Sequence, residues 1–369
     1  MSATHRPTLR VHSIEDLAAL IPYLLGFHPH DSLVLVSVED TTNRIRTAVR
    51  LDLPPADAPS ADLDMDAVLR RAVAVLDEGV SISAVLAGYG PVGRVEPTVT
   101  VAGEALHAAG VAVRTALRVA DGRVWCLRCT DPPACPSDGI PFEAATNPAA
   151  VAAVYAGLVA LPDRDALAAT LAPVTGPARQ RMIAATVAAC GLLADVLDAA
   201  RTDSVAHHDR DNTGDTGEDP HDDPDAVLDS RLGRALQAAA RTYLTQLQAR
   251  YRDGRPADDE HAATVTVLLD LPSLWEFAAR ATTGEAWQIQ MWSDLARRAE
   301  PPFTAPAATL LALCALQAGH GALAAMAVDR ALAADPQDRF AQLLHQAIAT
   351  GIDPATVTAL LSPTPGTAR

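Results

Sequence analysis

The segment Gly26-Phe27-His28-Pro29-His30-Asp31-Ser32 gathers two imidazoles, a carboxylate and a hydroxyl. Imidazoles titrate near neutrality, so His28 and His30 beside Asp31 make an acid/base or ligand set. Arg50 and Asp52 fall on the polar face of a neighbouring strand, where a guanidinium would bind an anionic substrate. The candidate catalytic residues are therefore His28, Asp31, Arg50 and Asp52. The same residues have a plainer use. Pro29 and Asp31 shape a turn, Ser32 caps it, and Arg50 and Asp52 lie on a solvated sheet face.

Cys126, Cys129 and Cys135 form the second constellation, and Cys126-Leu127-Arg128-Cys129 has the CxxC spacing of a zinc or redox site. They are the candidate metal residues, with zinc as the ion. A strand running through Cys129 would turn Cys126 and Cys129 to opposite faces, because an odd separation changes sides. Cys129 and Cys135, which bracket a loop containing Pro132-Pro133, approach each other more easily. Buried or loop thiols with no ligand are the simpler alternative.

Gly88-Tyr89-Gly90-Pro91-Val92-Gly93 fits the GxGxxG spacing between a strand and a helix, as in dinucleotide-binding turns. The context argues against a cofactor. The strand is third in order, Pro91 removes an N–H that a phosphate would use, and Arg114 and Thr115 stand where an acid is expected. No cofactor is expected there. The linker groups His207, His208, Asp209, His221, Asp222 and Asp223 read as a solvated spacer rather than a metal site. Without lysine the chain has no P-loop, and GxSxG, HExxH and calcium-loop patterns are absent.

The elements that must position these residues follow from periodicity. Ser13 caps a helix carrying Leu17, Leu20, Ile21 and Leu24, which Pro22 kinks or ends near Ile21 and Gly26 stops. Leu33 to Val38 reads as a buried strand. From Arg44 to Leu53 residues alternate, with Ile45, Thr47, Val49, Leu51 and Leu53 on one face, and the two runs make a hairpin. A helix is expected over 62–77 and a strand from Ser81 to Ala87. Another helix should open at Pro97 and end at Gly110. Strands from Val111 to Ala120 and Arg123 to Cys129 flank an Asp121-Gly122 hairpin turn, with Val113, Thr115, Leu117 and Val119 sharing a face.

After Pro141 only helices are expected, at about 147–160, 163–171, 177–201 and then from 226 onward to a last one at 354–361. Trp287, Met291 and Leu295 are spaced as a helical core. The fold class is α+β. An N-terminal mixed β-sheet domain with packed helices (1–145) precedes a helical segment (146–202), an acidic disordered linker (203–225) and an all-helical domain (226–362). Leu311, Gly319, Ala324, Val328, Ala331 and Pro336 mark a tetratricopeptide-like hairpin, without the neighbouring repeats a solenoid needs.

Composition excludes several classes. The 369 residues carry a formal net charge of -16 and 29 basic residues, all arginine. Nine acids against one arginine lie between Asp203 and Asp225. No basic stripe tracks a phosphate backbone, so nucleic acid is not an expected partner. The N-terminal MSATHRPTLR lacks a signal peptide's apolar run, and five cysteines then suggest reduced thiols in the cytoplasm. Phe303 to Val328 has no Asp, Glu or Arg, but Gln317 and Gly319-His320-Gly321 divide it into two short buried helices rather than a membrane span.

The stretches LAALIPYLLGFHPHDSLVLV (17–36), RLDLP (50–54), GYGPV (88–92), RVADGRVWCLRCTDPPACP (118–136) and LLALCALQAGHGALAAMAVDRALAADP (310–336) carry a resemblance. The chain resembles a mainly actinobacterial family of unknown function, DUF4192, over nearly its whole length except the acidic linker. One departure is local. The family pattern implies Cys-Cys-Pro at the second cysteine position, where this sequence has Ala134-Cys135-Pro136. The resemblance implies no activity. Two expectations stand side by side. One is a protein-interaction or regulatory protein whose helical half binds a partner or itself. The other is a small-molecule-binding or enzymatic α/β domain with its site near the 26–32 loop and the 50–52 strand.

Overall fold

The structure, a computed structural model, describes residues 10–55, 82–129, 135–211, 228 and 230–350. The helices expected over 62–77 and 354–361, and most of the expected linker, lie outside the described residues. Two compact units are formed. One holds the chain up to Thr170 with Gly319–Ala325 and a stretch from His345, and the other holds the rest from Leu171. The fold is α+β: a mixed sheet in the N-terminal half, with most helices in the C-terminal half.

In the first unit, helix α1 (Ile14–Leu25) is capped by Ser13, whose hydroxyl accepts the Asp16 N–H at 3.2 Å. Contrary to the expected break, α1 runs through Pro22 and ends at Gly26, where φ is 84°. Pro22 has no N–H to give the Ala18 carbonyl four residues back. The Tyr89 hydroxyl donates to that carbonyl instead, at 3.4 Å, so the helix continues.

Six strands are ordered β2-β1-β3-β4-β5-β6. They are β1 (Ser32–Glu39), β2 (Ile45–Asp52), β3 (Ile82–Tyr89), β4 (Ala112–Ala120), β5 (Arg123–Cys126) and β6 (Ile140–Pro141). Only β3 and β4 pair in parallel; the crossover between them is helix α2 (Val92–Ala108). β1 and β3 are buried along almost their whole length, which explains their unbroken apolar runs. Leu33, Leu35, Leu53 and Leu86 on one face meet Val95, Val99 and Leu106 of α2. Leu20 of α1 packs with Ala149 and Ala153 of α3 (Pro148–Tyr155), and Ile45 joins them.

That last contact corrects the expected alternation in β2. Ser37 pairs with Thr47 and Val38 with Ile45, so Arg46 is an extra residue in the strand. A bulge reverses the facing of everything beyond it. Ile45 therefore leaves the face that holds Leu51 and Leu53. Arg114 is a second extra residue, between Ala84–Val113 and Val85–Thr115, and it separates Val113 from the face of Leu117 and Val119. Its guanidinium binds Asn43 at 2.6 Å and Asp40 at 2.9 Å, tying β4 to the β1–β2 turn.

Two boundaries also move. α2 opens at Val92, with Pro91 as its N-cap, and Pro97 sits inside it. The carbonyl that Pro97 leaves without its helical partner belongs to Gly93, an exposed residue that solvent can reach. β5 stops at Cys126, three residues short of the expected end.

The second unit is built on α5 (Gly176–Asp211), α6 (Arg231–Arg252), α7 (Asp259–Leu268), α8 (Pro272–Arg280), α9 (Ala286–Arg298) and α10 (Thr304–Ala318). The short α4 (Arg164–Ala169) precedes it, and α11 (Gly321–Ala334) and α12 (Arg339–Thr350) are divided between the two units. α5 continues to Asp211, into the stretch expected to be linker. Buried Arg298 pairs with Asp259 at 2.6 Å and Asp294 at 3.1 Å, and Asp259 also takes Arg181 at 2.8 Å. Trp292, not Trp287, fills the core beside Met291 and Leu295; Trp287 is half-buried with the Arg252 guanidinium 4.6 Å over its ring. The apolar stretch from Phe303 resolves into two helices, with Gly319 at φ 83° between them, and α10 is buried through its centre.

Gly88 sets how closely β3 and α2 approach. A Cβ there would lie 2.2 Å from Cγ1 of Val95, a fully buried side chain with no room to retreat. Gly88→Ala should lower the unfolding free energy by about 1–3 kcal/mol in a denaturant titration. Wild-type stability in that variant would contradict the packing described.

Candidate functional site

β1 begins at the edge of the sheet where the parallel pair β3 and β4 ends. Ligands of α/β sheets bind outside such carboxyl ends. A cavity of about 560 Å³ lies there. Its walls are Ala18 and Pro22 of α1, His28 to Asp31, Tyr89 to Pro91, and Arg118 to Gly122, closed by Phe142 and Ala144.

The loop carrying the histidines is held firmly. The His28 N–H donates to the Leu161 carbonyl at 2.9 Å, and the Leu161 N–H returns to Gly26 at 2.9 Å. His28 is half-buried, whereas His30 is exposed. Burial first, and then the neighbouring His30 charge, pushes the His28 imidazole below its ordinary value. His28 is therefore neutral at pH 7 and can accept a proton or a hydrogen bond.

Asp31 is engaged elsewhere. Its φ is 44°, and its carboxylate takes the Arg94 guanidinium at 2.9 Å. Arg94 also donates to the carbonyls of Pro54 at 3.0 Å and Leu53 at 3.2 Å. That bracket joins the start of α2 to both ends of the β1–β2 hairpin. Asp31 thus lines the cavity while acting as a latch. Gly90, at φ 144°, passes close to it: a Cβ would stand 3.2 Å from the Asp31 carboxylate.

Arg50 and Asp52 do not reach the cavity wall. Arg50 donates to the Ser32 hydroxyl at 2.8 Å and pairs with Asp52 at 2.5 Å. Ser32 in turn donates to the His30 carbonyl. The four expected catalytic residues therefore split. His28 and Asp31 stand in the wall, and Arg50 and Asp52 support the loop from behind through Ser32.

Two wall residues were not among the expected site residues. Tyr89 is buried, its hydroxyl is spent on the Ala18 carbonyl, and burial keeps it protonated. Arg118 has no carboxylate partner among the described residues. It makes one long hydrogen bond to the Gly90 carbonyl, 3.4 Å, and its guanidinium stacks 3.5 Å over the Trp125 ring. Its position three residues before Asp121, near the carboxyl end of a strand, was the signal available. Beside it, α2 begins at Pro91 with no side-chain cap and no acid in its first turn. Its leading N–H groups, Val92 and Gly93, have no intrahelical acceptor. The wall thus carries a guanidinium and the N-cap residue of a helix, both suited to an anion, beside the carboxylates of Asp31 and Asp121.

The GxGxxG segment borders the same cavity with a different use. Gly88 makes room for Val95, and Pro91 is an N-cap. The cysteines also differ from expectation. Because β5 ends at Cys126 and the chain then bends, Cys126, Cys129 and Cys135 do not point apart. Their sulfurs all lie within 4.8 Å of one another. A hydrogen bond with Cys129, then burial and the Cys126 charge, pushes the Cys135 thiol up to about 12.

An α+β protein with a cavity at the carboxyl ends of a parallel strand pair, and a thiol cluster on the adjoining hairpin, is the class defined by fold and site. The chain belongs to the family described as a domain of unknown function, DUF4192, whose model matches residues 15–355. No curated protein and no solved structure matches it.

The His28 environment has a consequence for stability. Its folded value is depressed, so below about pH 6.5 the unfolded chain takes up the proton more readily than the native state. The stability contributed by neutral His28 is complete above that pH and is lost as pH falls through the depressed value. Urea titrations between pH 7.5 and 5 should show this decline, and His28→Asn should flatten it. An identical slope in the variant would refute the assignment.

Proposed function

We propose that the α/β unit binds a small anionic molecule, a carboxylate or phosphate ester, in the cavity between His28 and Arg118. One observation carries the reading: the Arg118 guanidinium, which has no acidic partner among the described residues, lines the cavity together with Pro91, the N-cap of α2. Unpaired arginines at concave sites are suited to bidentate anion recognition. His28 adds a neutral proton acceptor to the same wall. Acid/base chemistry on the bound anion is the class of reaction this wall allows. In this reading Asp31, Arg50 and Asp52 are positioning residues. The reading is cytoplasmic, where five free thiols persist, and it takes no nucleic acid as partner.

Calorimetric titration with inorganic phosphate, phosphate monoesters and small dicarboxylates tests it. Binding should weaken tenfold to a hundredfold in Arg118→Met, the loss of about 1.5–3 kcal/mol expected for hydrogen bonds to a charged group. Equal binding by variant and wild type, or none by either, would remove the reading.

A second reading, a protein partner or self-association through the helical half, has its own observation. On α5, Val187 is 67 % and Leu192 68 % exposed, with exposed Ile183 on the same helix. Residues Gly176–Thr202 are long and apolar enough to cross a membrane by composition alone. A membrane partner is not proposed, because Arg179 and Arg181 of this segment pair with Glu300 and Asp259. Val187→Asp should reduce the mass found by size-exclusion light scattering from that of an oligomer to that of one chain. A wild-type protein monomeric at high micromolar concentration would argue against self-association.

A further inference from the structure

The geometry points to a zinc site formed by Cys126, Cys129 and Cys135, separate from the anion cavity and structural in role. Three sulfurs from one short hairpin segment lie within 4.8 Å of one another. A tetrahedral zinc ion with Zn–S bonds of about 2.3 Å sets its sulfurs about 3.8 Å apart. The thiols therefore need to close by at most about an ångström to share one ion. A disulfide would use two of the three and leave the mutual approach of the third unexplained. Soft thiolates select zinc over the hard cations that carboxylates hold.

The backbone delivers this triangle by ending β5 at Cys126. Continued pairing to Cys129 would have sent the thiols to opposite faces. Instead the chain bends after Cys126, and the Leu127 N–H bonds to the Ala116 carbonyl at 2.7 Å. Arg128 then donates to the Val113 carbonyl at 3.0 Å, which anchors the bend against β4. Cys135 comes back from the opposite direction, just before the Ser137–Gly139 segment. Binding is balanced as zinc dication plus three thiols giving a zinc tris-thiolate and three protons released to solvent. Cys129 is exposed, so the fourth position is open to water or an added donor.

What the ion would hold is specific. Trp125, next to Cys126, donates from Nε1 to the Ser137 carbonyl at 3.1 Å and faces Gly139, where a Cβ would lie 2.5 Å from the ring. The other face of that indole carries Arg118 at 3.5 Å. A zinc ion bridging Cys126 and Cys135 would clamp both strands of chain that fix Trp125. The site lies about 13 Å along β5 from the Asp121-Gly122 turn of the cavity wall. It therefore acts on Arg118 through the indole and touches no ligand there.

The test uses the full-length, untagged chain purified under reducing conditions. Elemental analysis should find one zinc per chain, falling at least tenfold in Cys129→Ser, an exposed position, and in Cys126→Ser. Cobalt substitution should give the intense thiolate-to-cobalt charge-transfer band and the visible bands of a tetrahedral ion. Zinc that survives Cys126→Ser and Cys129→Ser but disappears on replacing His207, His208 and His221 would overturn the proposal. So would a reduced protein that takes up no zinc, or one whose Cys126 and Cys135 are recovered as a disulfide. Because the readout is metal content, the proposal stands or falls independently of anion binding.

Discussion

The close approach of α2 to β3 is the constraint from which the cavity follows. Gly88 lets Val95 sit directly against the strand, so the helix must start immediately after the strand ends. Pro91 then caps the helix in an extended conformation, and Gly90 takes a φ that side chains avoid. The result is a helix N-terminus brought down beside the carboxyl ends of β3 and β4. A bulkier residue at position 88 would lift α2, and with it the Arg94 bracket that reaches Asp31, Leu53 and Pro54.

Around that constraint, polar groups are divided between holding the loop and facing the cavity. Arg94 and Arg50 are consumed by Asp31, Asp52, Ser32 and backbone carbonyls. Tyr89 supplies the donor that Pro22 cannot, which makes α1 continuous behind the cavity. What remains unspent is Arg118 and the neutral His28. The stacking of Arg118 on Trp125 holds a planar guanidinium in place without neutralising it, since an aromatic face attracts a cation but leaves its donors free. The helical unit uses its charges differently: buried Arg298 is matched by Asp259 and Asp294.

Much of this was legible in the sequence, and the failures have local causes. The buried strands, the Asp121-Gly122 turn, the Gly26 stop and the division of the 303–328 stretch follow from periodicity and turn chemistry. The bulges at Arg46 and Arg114 did not, because each inserts a residue that alternation cannot flag. Pro22 read as a breaker, yet the carbonyl it leaves is covered by Tyr89; Pro97 read as a helix start, yet the helix opens at Val92 and runs through it. His28 and Asp31 were found from their loop. Arg118 was missed because only the parallel pairing of β4 with β3 makes its strand end a ligand edge. Cys126, Cys129 and Cys135 were named as candidate zinc ligands, but the expectation that Cys126 and Cys129 face opposite ways failed because β5 stops at Cys126.

The central claim is that the wall formed by Arg118, His28 and the start of α2 receives an anion. The most direct measurement is the anomalous scattering of crystals soaked in tungstate, a phosphate mimic. The account predicts one dominant site with oxygens about 2.7–3 Å from the Arg118 guanidinium and the leading N–H groups of α2. An empty cavity, with tungstate bound only at surface arginines, would contradict it.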